Sequence, residues 1–175
     1  MTELAVRFAR DLGLRPPQVA ALGIAGQLHD IGKIAVPDTV LRKPAPLTSE
    51  EDALVRQHVA FGERMLRGIP HEASVRSAIA HHHEWWDGSG YPRGKGGRAI
   101  PLAGRVLALA DSFSAMVDDR PYRSAMPIEE AIAAIRAGAG SQFDPALVEP
   151  FVATVEQWAV EARAAEEGAL GRVGA

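Results

Sequence analysis

The side chains with chemistry to offer in this sequence are histidines and aspartates, placed where apolar helices should end. His81-His82-His83 opens a run that continues through Glu84-Trp85-Trp86-Asp87 into Gly88-Ser89-Gly90-Tyr91-Pro92. His29-Asp30, His58 and Asp111 lie on either side of it. Imidazole nitrogen and carboxylate oxygen are ligands for Mn, Fe, Co, Ni or Zn. There is no cysteine, so any site must be built from nitrogen and oxygen. His29, Asp30, His58, His82, His83 and Asp111 together exceed what one catalytic zinc takes. More than one ion is therefore expected, with Asp30 or Asp111 as a bridge. Such a pair suits hydrolysis of a phosphate ester: the ions make hydroxide from water and offset charge on the phosphoryl oxygens. Lys33 can meet the same oxygens.

Positioning these groups requires helices, and the apolar periodicity supplies them. Residues 2–13 carry Leu4, Ala5, Phe8 and Leu12 near one face, and Gly13 closes the turn. Pro16 and Pro17 open a second helix, 16–33, that is almost wholly apolar and rich in small residues, which implies close packing. A histidine and an aspartate at its end need partners, because a buried unpaired charge costs several kcal/mol. The plain structural reading is a helix C-terminus where histidine and lysine favour the dipole.

Residues 34–47, with three prolines, read as a loop. Thr48 and Glu51 form a capping box for a helix over 49–67, with Leu54, His58, Phe61 and Met65 along one stripe. A lone histidine on such a stripe also has a plain reading, as a packed core residue. Gly68 and Pro70 lead into a helix over 70–85. His82 and His83 follow Ile79 by three and four residues, so both lean inward, while His81 points elsewhere and His71 has no role. Trp85 and Trp86 read as packing groups. A helix from Pro101 to Val117 is interrupted on its apolar face by Asp111, which asks for a cation or several donors. Pro127 opens a helix to Ala137. Asp144-Pro145 is an N-cap and first-turn proline for a last helix to about residue 167. No strand or repeat is visible. The sequence predicts an all-α, single-domain bundle of about seven helices over residues 1–167, with a frayed tail at 168–175.

The glycine-rich loop 87–100 carries Arg93, Lys95 and Arg98, the composition of a phosphate-facing lid. Arg120 and Arg123 flank a tyrosine, and their guanidinium groups suit bidentate phosphate contact. A formal net charge of −3 with no basic block argues against binding long nucleic acid. No apolar run reaches the ~18 residues of a membrane span, and no signal-like core follows Met1. A soluble, cytoplasmic protein is expected. An exposed apolar face on the first helix would make it a dimer.

Taken together, His29-Asp30-Ile31-Gly32-Lys33, His58-Val59-Ala60-Phe61-Gly62, His82-His83-Glu84 through Gly90-Tyr91-Pro92, Ala110-Asp111 and Arg120-Pro121-Tyr122-Arg123 closely resemble the HD-GYP family. That family is a branch of the HD-domain metal-dependent phosphohydrolases. The resemblance covers roughly residues 1–152, and Gln142-Phe143-Asp144-Pro145 looks like its closing motif. It implies the HD-type helical bundle and a role in bacterial second-messenger signalling. The implied activity is cleavage of cyclic di-GMP to pGpG, often on to GMP, with two or three iron or manganese ions per site. By resemblance, His29, Asp30, His58, His82, His83 and Asp111 match metal ligands, His29 and Asp30 with Lys33 form the reacting centre, and Lys33 meets the scissile phosphate. Tyr91, Arg120 and Arg123 match residues that hold the dinucleotide, with the Gly90 backbone beside them. The Gly-Tyr-Pro loop is also a candidate contact for protein partners.

Two departures stand out. The glutamate and histidine that bind a third ion in some members would fall before Met1, so a two-metal site is expected. An aspartate three residues after the Asp111 position is here Ser114. If that residue orients a ligand, its loss weakens affinity or activity by about 10–100-fold. The alternative function is a catalytically impaired, cyclic di-GMP-responsive interaction module.

Overall fold

The computed structural model describes residues 1–68, 72–119 and 124–173. Among these are nine α-helices and two 3₁₀ turns, and no strand beyond an isolated bridge between Ala139 and Phe143. The all-α expectation holds. Helix α1 (Thr2–Asp11) buries Leu4, Ala5, Phe8 and Ala9 on one face. Gly13, at φ +69°, turns the chain into α2 (Pro16–Leu28). Small residues let these two helices approach closely: a Cβ on Gly26 would lie 3.0 Å from Thr2 Oγ1.

After the site-bearing segments come α6 (Glu72–Ile79), α7 (Leu102–Val117), α8 (Ile128–Ala137) and α9 (Pro145–Val173). The last runs past the end expected near residue 167. Helix α7 is the axis of the bundle and packs against α1, α2, α6, α8 and α9. It is buried nearly all round, through Val106, Leu107, Leu109, Ala110 and Phe113. Phe151 of α9 meets Phe8 edge-on at 5.1 Å and Phe113 at 5.9 Å. Its full burial is worth about 1.5–3 kcal/mol. The apolar face of α1, which the sequence offered as a basis for a dimer, is therefore buried inside the chain.

The largest differences from the sequence reading lie around the histidines. Helix α2 stops at Leu28, and a 3₁₀ turn, Ile31–Ala35, follows. Gly32 in this turn touches the next helical layer so closely that a Cβ would sit 1.9 Å from His58 O. The expected loop contains the single turn α3 (Asp38–Leu41). The expected helix over 49–67 is two helices, α4 (Ser49–Arg56) and α5 (His58–Met65), divided at Gln57. The Thr48–Glu51 capping box is present. Helix α6 ends at Ile79, so His82 and His83 stand beyond it rather than on it. Pro70, its expected start, lies outside the described residues, as does His71. Apolar spacing continues across all three breaks, which is why periodicity joined the pieces. Among the described residues, no helix is long and apolar enough to cross a membrane.

Candidate metal centre

Three helix ends present their histidines in the same way. Each C-terminus leaves carbonyl groups without intrahelical donors. His29 Nδ1 bonds Gly26 O at 2.9 Å, His58 Nδ1 bonds Val55 O at 2.7 Å, and His82 Nδ1 bonds Ile79 O at 2.6 Å. In every case the carbonyl lies three residues back. A carbonyl only accepts, so Nδ1 carries the proton and Nε2 faces away from the helix end. Terminating these helices early is thus what aims the imidazoles.

The outward nitrogens converge. Ligand atoms of His58, His82 and His83 all lie within 4.8 Å of one another. The Nε2 atoms of His58 and His82 are buried with no hydrogen-bond partner. Burial pushes His58 below its ordinary pKa and His82 to about 4. Burial, then the neighbouring His82 and His58, lowers His83 to about 3. At neutral pH all three are neutral imidazoles with a free lone pair, the form that binds a metal ion.

A second set gathers around His29. Its Nε2 lies 3.3 Å from Asp30 Oδ2 and 3.5 Å from Asp111 Oδ1, which reaches in from the buried axis α7. Burial opposes charge on His29, but the two carboxylates raise its pKa to about 10. Burial likewise opposes charge on Asp30 and Asp111. His29 and Lys33 nevertheless hold Asp30 far below the carboxylate range, and His29 lowers Asp111. Asp30 spans the two sets, because its Oδ1 lies 3.5 Å from His58 Nε2 while its Oδ2 faces His29. Lys33 Nζ bonds the same Oδ2 at 2.6 Å. Orphaned neutral nitrogens beside clustered carboxylates fit a site for divalent metal.

A cavity of about 360 Å³ opens onto this cluster, lined in part by Lys33, His83, Trp85, Tyr91, Asp111 and Gln142. That is within the size range of small-molecule sites, roughly 300–1,000 Å³. Tyr91 stacks on His83 with centroids 4.8 Å apart, and the Arg56 guanidinium lies 4.8 Å from the Tyr91 ring. Burial raises the Tyr91 hydroxyl to about 12, so it remains a donor. Gly90 is packed where a Cβ would lie 2.3 Å from Trp85 N and 2.5 Å from His83 O. The Tyr91–Pro92 peptide bond is cis.

The structure brings His29, Asp30, Lys33, His58, His82, His83, Gly90, Tyr91 and Asp111 to one place. Arg120 and Arg123 lie outside the described residues. Four nearby side chains take defined places, and two of them, Trp85 and Arg93, differ from the sequence reading. His81 points away from the cluster, as expected, and is buried, bonding Ser77 O at 2.8 Å on the side of Gly104. Trp85 is not a packing group; it stands 39% exposed at the cavity wall. Arg93 does not face a phosphate, because its guanidinium is held by Ala80 O and Glu63. Ser114, standing where the family pattern has an aspartate, donates its hydroxyl to Asp118 at 2.8 Å. Sequence reasoning also passed over Glu84, which is buried beside the histidines, and Gln142, whose side chain reaches Ser112 on α7. No periodic signal marks either one.

A family model described as "HD domain" matches residues 1–147. The chain is 44% identical over 151 residues to a cyclic di-GMP phosphodiesterase of Thermotoga maritima, covering 85% of this chain and 41% of that protein. It resembles the solved structure of a cyclic GMP-AMP-specific phosphodiesterase of Vibrio cholerae, with TM-score 0.64, 27% identity and coverage of 89% and 42%. An HDG"Y"P protein of Bdellovibrio bacteriovorus shares the fold, with TM-score 0.67, 18% identity and coverage of 89% and 50%. The chain spans half or less of each of these proteins. The chain belongs to the HD-domain family.

Proposed function

We propose that this chain is a metal-dependent phosphodiesterase that hydrolyses cyclic di-GMP to pGpG, with further cleavage to GMP. The observation that carries the reading is the pair of donor sets joined by Asp30. His58, His82 and His83, with His29, Asp30 and Asp111 beside them, would hold the ions. When bound, two divalent ions, iron or manganese, acidify water and offset charge on the phosphoryl oxygens.

The remaining roles belong to the protein. Asp30 holds Lys33 Nζ at the cavity wall, where it can contact a non-bridging phosphoryl oxygen. Tyr91 keeps its proton to high pH and donates a hydrogen bond into the cavity. Gly90 lets the backbone approach the ligand. Arg120 and Arg123 are proposed to grip the dinucleotide phosphates through bidentate bonds. The exposed edge of the Gly-Tyr-Pro loop is the proposed contact for protein partners. The names of the relatives support cyclic di-GMP, while the Vibrio cholerae neighbour favours cyclic GMP-AMP as a second substrate.

The test is turnover. The protein, purified without oxygen and loaded with Mn(II) or Fe(II), is given either dinucleotide and the products are separated by chromatography. Formation of pGpG, abolished by chelator, is expected, with cyclic di-GMP the faster substrate. No product from a chain with metals bound would overturn the enzyme reading in favour of the interaction module.

A further inference from the structure

Glu84 is only 2% exposed, yet among the described residues its carboxylate meets no cationic side chain. Both oxygens receive backbone N–H groups from the far side of the glycine-rich loop: Arg93 N at 2.8 Å and Lys95 N at 2.9 Å. Hydrogen bonds to an ionised carboxylate are about twice as strong as neutral ones. The loop is folded back on its own beginning by further contacts. Tyr91 N bonds His83 O at 3.0 Å, and Gly97 N bonds Trp86 O at 2.7 Å. Arg93, immediately beyond the turn, clamps Ala80 O and Glu63. Trp86 N and Asp87 N are in turn held by Gln142 O and Ser141 O. Tyr91 lies inside this closed path, stacked on His83.

We infer that Glu84 is a positioning residue for the dinucleotide, acting through the loop and not through the metal centre. Its two amide bonds fix the distance between the histidine pair and the returning strand of the loop, and so hold Tyr91 over His83 at the cavity wall. Each carboxylate oxygen is engaged by a backbone amide, and Glu84 is not among the residues whose ligand atoms converge with His58, His82 and His83. The inference rests on the proposed phosphodiesterase reading, and its test separates the two.

Glu84→Ala and Glu84→Gln are compared with the parent chain by three readouts. These are amide hydrogen exchange over 86–97, metal content, and KM and kcat on cyclic di-GMP and on bis(p-nitrophenyl) phosphate. The small diester reports on the centre without needing the loop. Glu84→Ala should speed exchange at Arg93 and Lys95 by about tenfold or more and raise KM for cyclic di-GMP about 10–100-fold, the scale of lost ligand orientation. Metal content and small-diester turnover should hold. Glu84→Gln keeps one acceptor oxygen and should move the same readouts in the same direction by less. Unchanged exchange and KM in both variants, or loss of metal in Glu84→Gln, would overturn the inference. If the parent chain cleaves neither diester, the functional reading fails, and exchange at Arg93 and Lys95 alone decides the role of Glu84.

Discussion

His82 and Glu84 are two residues apart, polar and equally buried, at 2% exposure each, yet the fold treats them in opposite ways. Both oxygens of Glu84 are matched to loop amides, whereas His82 has one nitrogen matched to a helix-end carbonyl and the other matched to nothing. An unsatisfied buried polar atom costs about 1–3 kcal/mol. His58 carries the same cost, and its orphaned nitrogen faces that of His82. The comparison teaches that the two regions serve different ends. The loop side is complete in itself and provides shape. The histidine side leaves buried nitrogens without partners, in the form that could hold a cation.

The sharpest way to break this contrast is to remove the orphaned nitrogens. His82→Ala should lower turnover by about 1,000-fold, since several kcal/mol of transition-state stabilisation is lost at 1.36 kcal/mol per tenfold. Product formed per chain, together with metal content, measures it. Retained turnover would make the orphaned nitrogen a packing defect. Lys33→Ala should cost less, about 100-fold in kcat, the scale of one lost electrostatic donor. Its metal content should be unchanged, which separates a substrate contact from a ligand.

Metal addition tests the same contrast through stability. An ion at 100 times its Kd should add about 2.7 kcal/mol, or about 5–10 °C in Tm for a domain of this size; calorimetry with and without chelator reads the shift. The sign with pH also follows. In the metal-free protein burial opposes the charge of His29, but Asp111 and Asp30 hold its pKa at about 10. Binding at neutral pH must therefore expel a proton, and apparent affinity should climb as pH rises towards 10. An indicator dye detects the release, and a pH-independent affinity would count against His29 as a ligand.

The smallest effect is expected at His81. It also has a buried, unpartnered Nε2, but it faces away from the cluster. His81→Phe should leave metal content and turnover intact, with stability changed by less than about 1.5 kcal/mol in a denaturant titration. A loss of metal would extend the centre to the other side of the histidine run.

Much of the site was legible because its chemistry is local. Asp111 could be found from one carboxylate on an otherwise apolar helix, and His82 and His83 from their distance to Ile79. The helix breaks after Leu28, Arg56 and Ile79 were not legible, since apolar residues keep their helical spacing through them. Those breaks free the carbonyls that His29, His58 and His82 cap. Glu84 and Gln142 escaped notice because their partners lie 9–11 and 30 residues away, where no local pattern reaches.

The sequence by itself determined the kind of site. Without cysteine, with histidine and aspartate at the ends of apolar segments, it allowed only a nitrogen and oxygen centre in a helical bundle. Tertiary structure alone decided how those ligands divide. Packing of α2 and α6 on α7, and of α5 on α6 and the 3₁₀ turn Ile31–Ala35, sets which nitrogens meet, and the two oxygens of Asp30 turn towards different histidines. The reason is geometric: ligand separations of a few ångströms are fixed by how helix ends meet across the core, and chain order carries no record of that.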